Sequence, residues 1–233
     1  MIILKMWISD FINLFFPNLC QACGKSLIKN EHILCLSCLH KLPKTNFHMH
    51  ENNPISRIFW GRANIHAATS FLFFNKGGQV QKLIHQLKYK ANTETGRYLG
   101  ELLGNDLKKS KLFKDIDVII PVPLHKKKLH KRGFNQSEII SEGISNSMQV
   151  PINIHSLQRL EHTETQTKKT RYSRWENVKG KFGIIDLAGL EGKHILLIDD
   201  VLTTGATLES CAQTLLEIPQ VTVSMATLAY AQV

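Results

Sequence analysis

The run from Ile195 to Thr207, ILLIDDVLTTGAT, limits this chain more than any other. Its four consecutive apolar residues leave no polar face. As a strand it must be covered on both sides, which is the condition of a parallel sheet held between helices. The run then meets two adjacent carboxylates, Asp199 and Asp200. It passes through Thr203, Thr204, Gly205, Ala206 and Thr207 into a stretch of helical character over about 206 to 217. A strand, a glycine turn and a helix start make an anion nest. The first helical N–H groups point outward unpaired, the hydroxyls add donors, and glycine lets the backbone approach an oxyanion closely. The lysine of a Walker A loop is missing. Two carboxylates directly upstream would repel a phosphate, so they must face something else. A ribose attached to that phosphate presents adjacent hydroxyls that carboxylates can accept from. The stretch points to a sugar phosphate.

Other segments alternate in the way a parallel sheet requires. Strands are expected over 68–74, 117–123, 152–157, 194–201 and 221–230. Val80, Leu83, Ile84 and Leu87 keep helical spacing, as do Leu99, Leu102, Leu103 and Leu107. Asn135 and Glu138 have the spacing of a capping box, followed by Ile140, Ile144 and Met148 on one helix face. In such sheets ligands bind at the carboxyl ends of the strands. Asp199-Asp200 and the turn at 121–125 both fall there.

Near the front, Cys20-x2-Cys23 and Cys35-x2-Cys38 have the spacing of a structural tetrathiolate zinc site. Disulfides or free thiols are the competing reading, disfavoured without a convincing export signal. The opening MIILKMWISDFINLFF has one lysine, an interrupting Asp10 and no small-x-small cleavage site. It reads as an amphipathic helix over the first sixteen residues, docked on its own domain or lying on a membrane surface, and not as a transmembrane segment. The expected location is the cytoplasm, with a peripheral place at the inner membrane as the second option. The stretch 43–62 reads as an irregular linker. The organisation expected is residues 1–60 for helix, cysteine segment and linker, then 61–233 for one α/β domain. A net charge of +10 favours anionic partners, phosphate or nucleic acid, without choosing between them.

ILLIDDVLTTGAT resembles the phosphoribosyl-pyrophosphate (PRPP) signature of type I phosphoribosyltransferases. The resemblance implies that Asp199 and Asp200 bind the ribose 2′- and 3′-hydroxyls and stabilise positive charge on the ribose. It also implies that Val201, Leu202 and the loop Thr203, Thr204, Gly205, Ala206 and Thr207 complete the donor site around the 5′-phosphate. Further stretches, IIPVPLHKKKLHKRGFNQSEIIS, LIHQLKYK and TQTKKTRYSRWENVKGKF, with the four cysteines, resemble the ComF family. Its members join a short zinc-binding segment to a phosphoribosyltransferase domain. That implies a structural zinc on Cys20, Cys23, Cys35 and Cys38, Mg²⁺ accompanying PRPP, and pyrophosphate held at Pro123, Leu124 and His125.

The resemblance also implies handling of single-stranded DNA during natural transformation, alongside other DNA-uptake proteins. Candidate acceptor or DNA contacts are Lys126, Lys127, Lys128, Lys131, Arg132, Asn135, Gln136, Thr165, Gln166, Arg171, Arg174 and Asn177. For the lysines a solvated charge run is the plain alternative, and for Asn135 a helix cap. Trp175 and Tyr172 offer rings for base stacking, against the more ordinary use of Trp as a packing anchor. A PRPP-dependent transferase of nucleotide metabolism with no DNA role, and a PRPP-responsive regulator, are the competing functions.

Overall fold

Ile195, Leu196, Leu197 and Ile198 are fully buried, as their run demands. Ile195 and Leu197 enter one apolar layer, Leu196 and Ile198 the other. The computed structural model describes residues 17–89, 92–160, 181–187 and 189–231. The helix expected over 1–16, and Thr165, Gln166, Arg171, Tyr172, Arg174, Trp175 and Asn177, lie outside the described residues. The strands are β1 (Ala67–Phe73), β2 (Val118–Pro121), β3 (Leu157–Arg159), β4 (Phe182–Ile184), β5 (His194–Leu202) and β6 (Thr222–Tyr230). Four of them form a sheet of order β1-β6-β5-β2 with every pair parallel. The architecture is the α/β parallel-sheet fold expected from the sequence.

The helices are α1 (Leu36–His40), α2 (Pro54–Ile58), α3 (Gln79–Tyr89), α4 (Thr93–Leu107), α5 (Lys126–Arg132), α6 (Gln136–Met148) and α7 (Ala206–Leu215). Buried residues of α3, α4 and α6 join one face of the sheet, while α7, α2 and the β3–β4 hairpin contribute to the other. α4 and α6 cross at bare backbone. A Cβ on Gly100 would strike the Ile140 carbonyl, and one on Gly143 the Arg97 carbonyl.

Two expectations need correction. The strand over 152–157 exists only as a single parallel bridge between Ile152 and Ile119. Asn153 ends it, because its Oδ1 accepts from the N–H groups of His155 and Ser156, both at 3.0 Å, and folds the chain away. The chain then enters β3, which pairs antiparallel with β4 in a separate hairpin. Nor is the stretch 43–62 an irregular linker. Lys44 bridges Leu72 on β1, and its ammonium pairs with Asp106 on α4 at 2.8 Å. The buried Asn53 caps α2 and donates to the carbonyls of His50 and Ala68. Phe59 follows at 0% exposure, inside the same apolar layer as α7.

The cysteine segment packs on the same body. Cys20, Ala22, Leu34, Cys38 and Leu42 share the apolar layer of α3 and α4, and Gln79 of α3 donates to Cys38 Sγ at 3.6 Å.

Candidate functional site

β5 carries Asp199 and Asp200 to the carboxyl end of the sheet. Asp199 lies opposite Thr227 of β6, and its Oδ1 accepts from Ser137 Oγ at 3.0 Å and from the Asp200 N–H at 2.8 Å. Asp200 Oδ2 meets Lys88 Nζ of α3 at 2.8 Å. The two like charges are therefore divided, one held by a hydroxyl from α6 and the other by an ammonium from α3. Burial, and then the neighbouring Asp200 charge, push the Asp199 carboxyl up to about 7. The hydrogen bonds from Asp200 N–H and Ser137, and the Lys88 charge, oppose that rise. Near neutral pH, Asp199 is poised between an acceptor-only carboxylate and a protonated acid.

Directly beyond, the chain turns at Gly205, whose φ of +78° suits glycine and few other residues. Gly205 is the N-cap of α7 and offers no side chain to its first N–H groups. The nearest substitute is Thr204 Oγ1, at 3.5 Å from the Ala206 nitrogen. Thr203, Thr204, Ala206 and Thr207 are exposed around this opening, whereas Leu202 is buried in the core and Val201 half-buried. One continuous stretch thus sets carboxylate acceptors next to a cluster of backbone and hydroxyl donors, at the positive end of a helix dipole.

The second loop, Pro121 to His125, leaves β2 at the same sheet end. Pro123, Leu124 and His125 are half-buried, and His125 Nδ1 caps α5 by accepting from the Lys127 N–H at 3.1 Å. The basic run is therefore helical, ended by Gly133 at φ +80°. Lys126, Lys127, Lys128 and Lys131 are exposed on it. Arg132 turns inward, donates to Gln136 and stacks on the Tyr89 ring with its guanidinium carbon 5.7 Å from the centroid. That contact brings the end of α5 to the end of α3, next to Lys88. Asn135 is buried: Oδ1 accepts from the Ser137 N–H and Nδ2 donates to the Val122 carbonyl at 3.0 Å. It fastens the loop to α6. Gln136 is buried as well, on Arg132 and the Phe134 carbonyl.

Lys88 and Ser137 were not among the sequence candidates. For Lys88 a signal existed, since LIHQLKYK puts a lysine just past the last apolar position of a helix. Ser137 gave none. A separate open cleft of about 600 Å³, lined by Trp60, Asn64 and His66 among others, reaches Ala67 at the opposite, amino-terminal end of β1.

The four cysteine sulfurs lie within 4.8 Å of one another, and Cys23 Sγ and Cys35 Sγ are 3.8 Å apart. Four thiolates around one zinc at a bond length of about 2.3 Å would sit about 3.8 Å from each other. The donor set fits that metal and leaves no open position. Burial alone would push the Cys20 thiol up, but N–H groups of Cys35, Cys23 and Ala22 bring it down to about 6, toward the thiolate a metal needs.

Comparison with known proteins agrees with this fold. A family model described as a phosphoribosyl transferase domain matches residues 136–232. The chain is 28% identical over 215 residues to the DNA utilization protein YhgH of Shigella flexneri, covering 89% of this chain and 88% of that protein. It is 31% identical over 137 residues to Competence protein F of Haemophilus influenzae, covering 57% and 60% respectively. With Competence protein ComFC of Bacillus subtilis it shares 38% identity over 102 residues, 43% of this chain and 38% of that protein. With a phosphoribosyl transferase model matching its carboxyl-terminal part and competence proteins F and ComFC among its relatives, the chain is similar to proteins of the ComF type.

Proposed function

We propose that the chain binds PRPP at the end of β5 and handles single-stranded DNA during uptake, with phosphoribosyl transfer as the reaction its site is built for. One observation carries the reading: Asp199-Asp200 runs without interruption into the uncapped start of α7. A ribose and its 5′-phosphate are matched by this single stretch, hydroxyls to carboxylates and phosphate to N–H groups. The loop Pro123 to His125, with the basic helix α5 that follows it, supplies the cationic side for pyrophosphate. Transfer would break the bond between ribose C1 and the pyrophosphate oxygen, which leaves with the electron pair. An acceptor would add at C1 and lose its proton. Positioning and charge stabilisation do most of such work, and no protein nucleophile is needed.

Mg²⁺ suits this donor set, since it binds through one or two carboxylates together with substrate phosphates. When present it would neutralise charge on the pyrophosphate. Zinc on the four cysteines would be structural. The DNA role rests on the names of the relatives and on the exposed lysines of α5. Among the described residues no helix is long and apolar enough to cross a membrane. We place the protein in the cytoplasm. Labelled PRPP incubated with a panel of bases and with single-stranded DNA tests the transferase part. Pyrophosphate release supports an enzyme, and DNA binding without release supports a handling protein that keeps the donor site.

Two variants probe the halves separately. Reversing Lys126, Lys127 and Lys128 to glutamate weakens single-stranded DNA binding and lowers the slope of log K against log salt by about 2, since each phosphate contact contributes about 0.7. Filter binding across a salt series reads this, and an unchanged slope confines the run to solvent or to PRPP. Lys88→Ala removes an ammonium whose charge opposes the rise of the Asp199 carboxyl. PRPP affinity in the wild type falls as pH drops through about 7, because protonated Asp199 has lost its charge. In Lys88→Ala that midpoint moves upward in calorimetric titrations from pH 6 to 9.

A further inference from the structure

We propose that Arg62, in the stretch between the cysteine segment and β1, is a positioning residue for the loop at Thr203 to Thr207. The inference rests on the reading that this loop holds the 5′-phosphate. Arg62 Nη1 donates to the carbonyls of Ile58 and Thr204, each at 3.1 Å, and Nη2 pairs with Glu209 in the first turn of α7. The backbone of Arg62 is itself held, its carbonyl accepting from Gln213 Nε2 at 2.8 Å. One guanidinium thus ties the loop, the helix start and the end of α2 together.

The geometry has a consequence for anion binding. A peptide unit is planar and trans, so its carbonyl and the following N–H point in opposite directions. Fixing the Thr204 carbonyl on Arg62 fixes the Gly205 N–H to point away from Arg62. Behind Gly205 stand Phe59 and Ile58, with carbons 3.1 to 3.2 Å from where a Cβ would lie, so the turn cannot relax backward. Glu209 adds a second consequence. A carboxylate in the first turn of α7 repels an incoming phosphate, and Arg62 neutralises it. Arginine suits both tasks because its planar fork can serve a carbonyl and a carboxylate at once, which a lysine ammonium cannot do as well.

The test titrates two ligands separately, ribose 5-phosphate and inorganic pyrophosphate, into the full chain and into Arg62→Gln and Arg62→Lys. Arg62→Gln is expected to weaken ribose 5-phosphate by about tenfold or more, the scale of one charge-assisted hydrogen bond. Pyrophosphate, held at the other loop, stays within about twofold. Arg62→Lys falls between, because it keeps the charge and loses the fork. Without any ligand, amide exchange at Gly205 and Ala206 quickens in both variants. Equal losses for both ligands, or no loss for ribose 5-phosphate, overturn the positioning role and leave the donor-site reading intact. A wild-type protein that binds no ribose 5-phosphate overturns both. Should Arg62→Gln fail to fold, the ligand ratio and the exchange rates of Arg62→Lys decide.

Discussion

Asp199→Asn combined with Asp200→Asn abolishes PRPP binding, a loss of about 100-fold or more, since two charged acceptors for ribose hydroxyls go together. The backbone is expected to stay in place, since Ile195 to Ile198 are buried on both sides and the apolar layers against β5 contain neither acid. The single change Asp199→Asn has a further effect, on stability. Burial and the Asp200 charge raise the Asp199 carboxyl to about 7, above its value in the unfolded chain. Between about pH 4, where an ordinary aspartate titrates, and about pH 7, the folded state therefore binds more protons than the unfolded one. Stability contributed by this group is full below that window and is lost as pH rises through it. Above pH 7 the folded protein carries a buried, repelled charge that asparagine lacks. Thermal unfolding of Asp199→Asn is expected about 3–6 °C above the wild type at pH 8, for about 1–2 kcal/mol, with the difference gone near pH 4. A substitution that raises stability while removing an acceptor for PRPP is the signature of a functional site held against its own electrostatics.

The cysteine segment predicts the second large effect. Metal analysis is expected to find about one zinc per chain. Its loss should be felt beyond the segment, because Cys20 and Cys38 are 2% and 3% exposed and share an apolar layer with Leu83 and Leu87 of α3. A tetrathiolate site forms with folding, so its binding energy is folding energy. Chelation, or Cys38→Ala, is expected to lower the unfolding midpoint by roughly 10 °C, the equivalent of several kcal/mol in a chain of this size. A protein that is metal-free as purified, and indifferent to chelators, would contradict the assignment. So would an oxidised protein whose four thiols are blocked in disulfides.

What the sequence made legible follows from which constraints are local. An unbroken apolar run leading into acids, threonines and glycine can satisfy its backbone and its charges in few ways, and β5, the turn and α7 appear where that run puts them. Helical spacing found α3, α4 and α6 for the same reason. The paired C-x2-C knuckles were legible because four sulfurs at that spacing have one compact solution.

The rest depends on distant partners. HMHENNP looks like punctuation, yet Asn53 finds the Ala68 carbonyl and caps α2, and Phe59 fills the space behind Gly205. The Asn53-Pro54 pair does signal a helix start, but the contacts to Ala68 and to Gly205 have no signal within the stretch. The run KKKLHKR has a single apolar residue and so no periodicity, and its helix is decided by the caps at His125 and Gly133. Lys88 reaches Asp200 across 112 positions of sequence, and Arg62 reaches Thr204 across 142. Sequence reasoning finds a stretch whose residue types suit a ligand more readily than the distant side chains that hold that stretch in place.

The central claim is that the stretch from Asp199 to Thr207 is a PRPP site. Calorimetric titration of PRPP with Mg²⁺ into the full chain at pH 8, beside the Asp199→Asn, Asp200→Asn double variant, tests it most directly. The account predicts saturable binding at about one PRPP per wild-type chain and none to the variant, with circular dichroism unchanged between the two. No binding to the wild type, or equal binding to both, would contradict it.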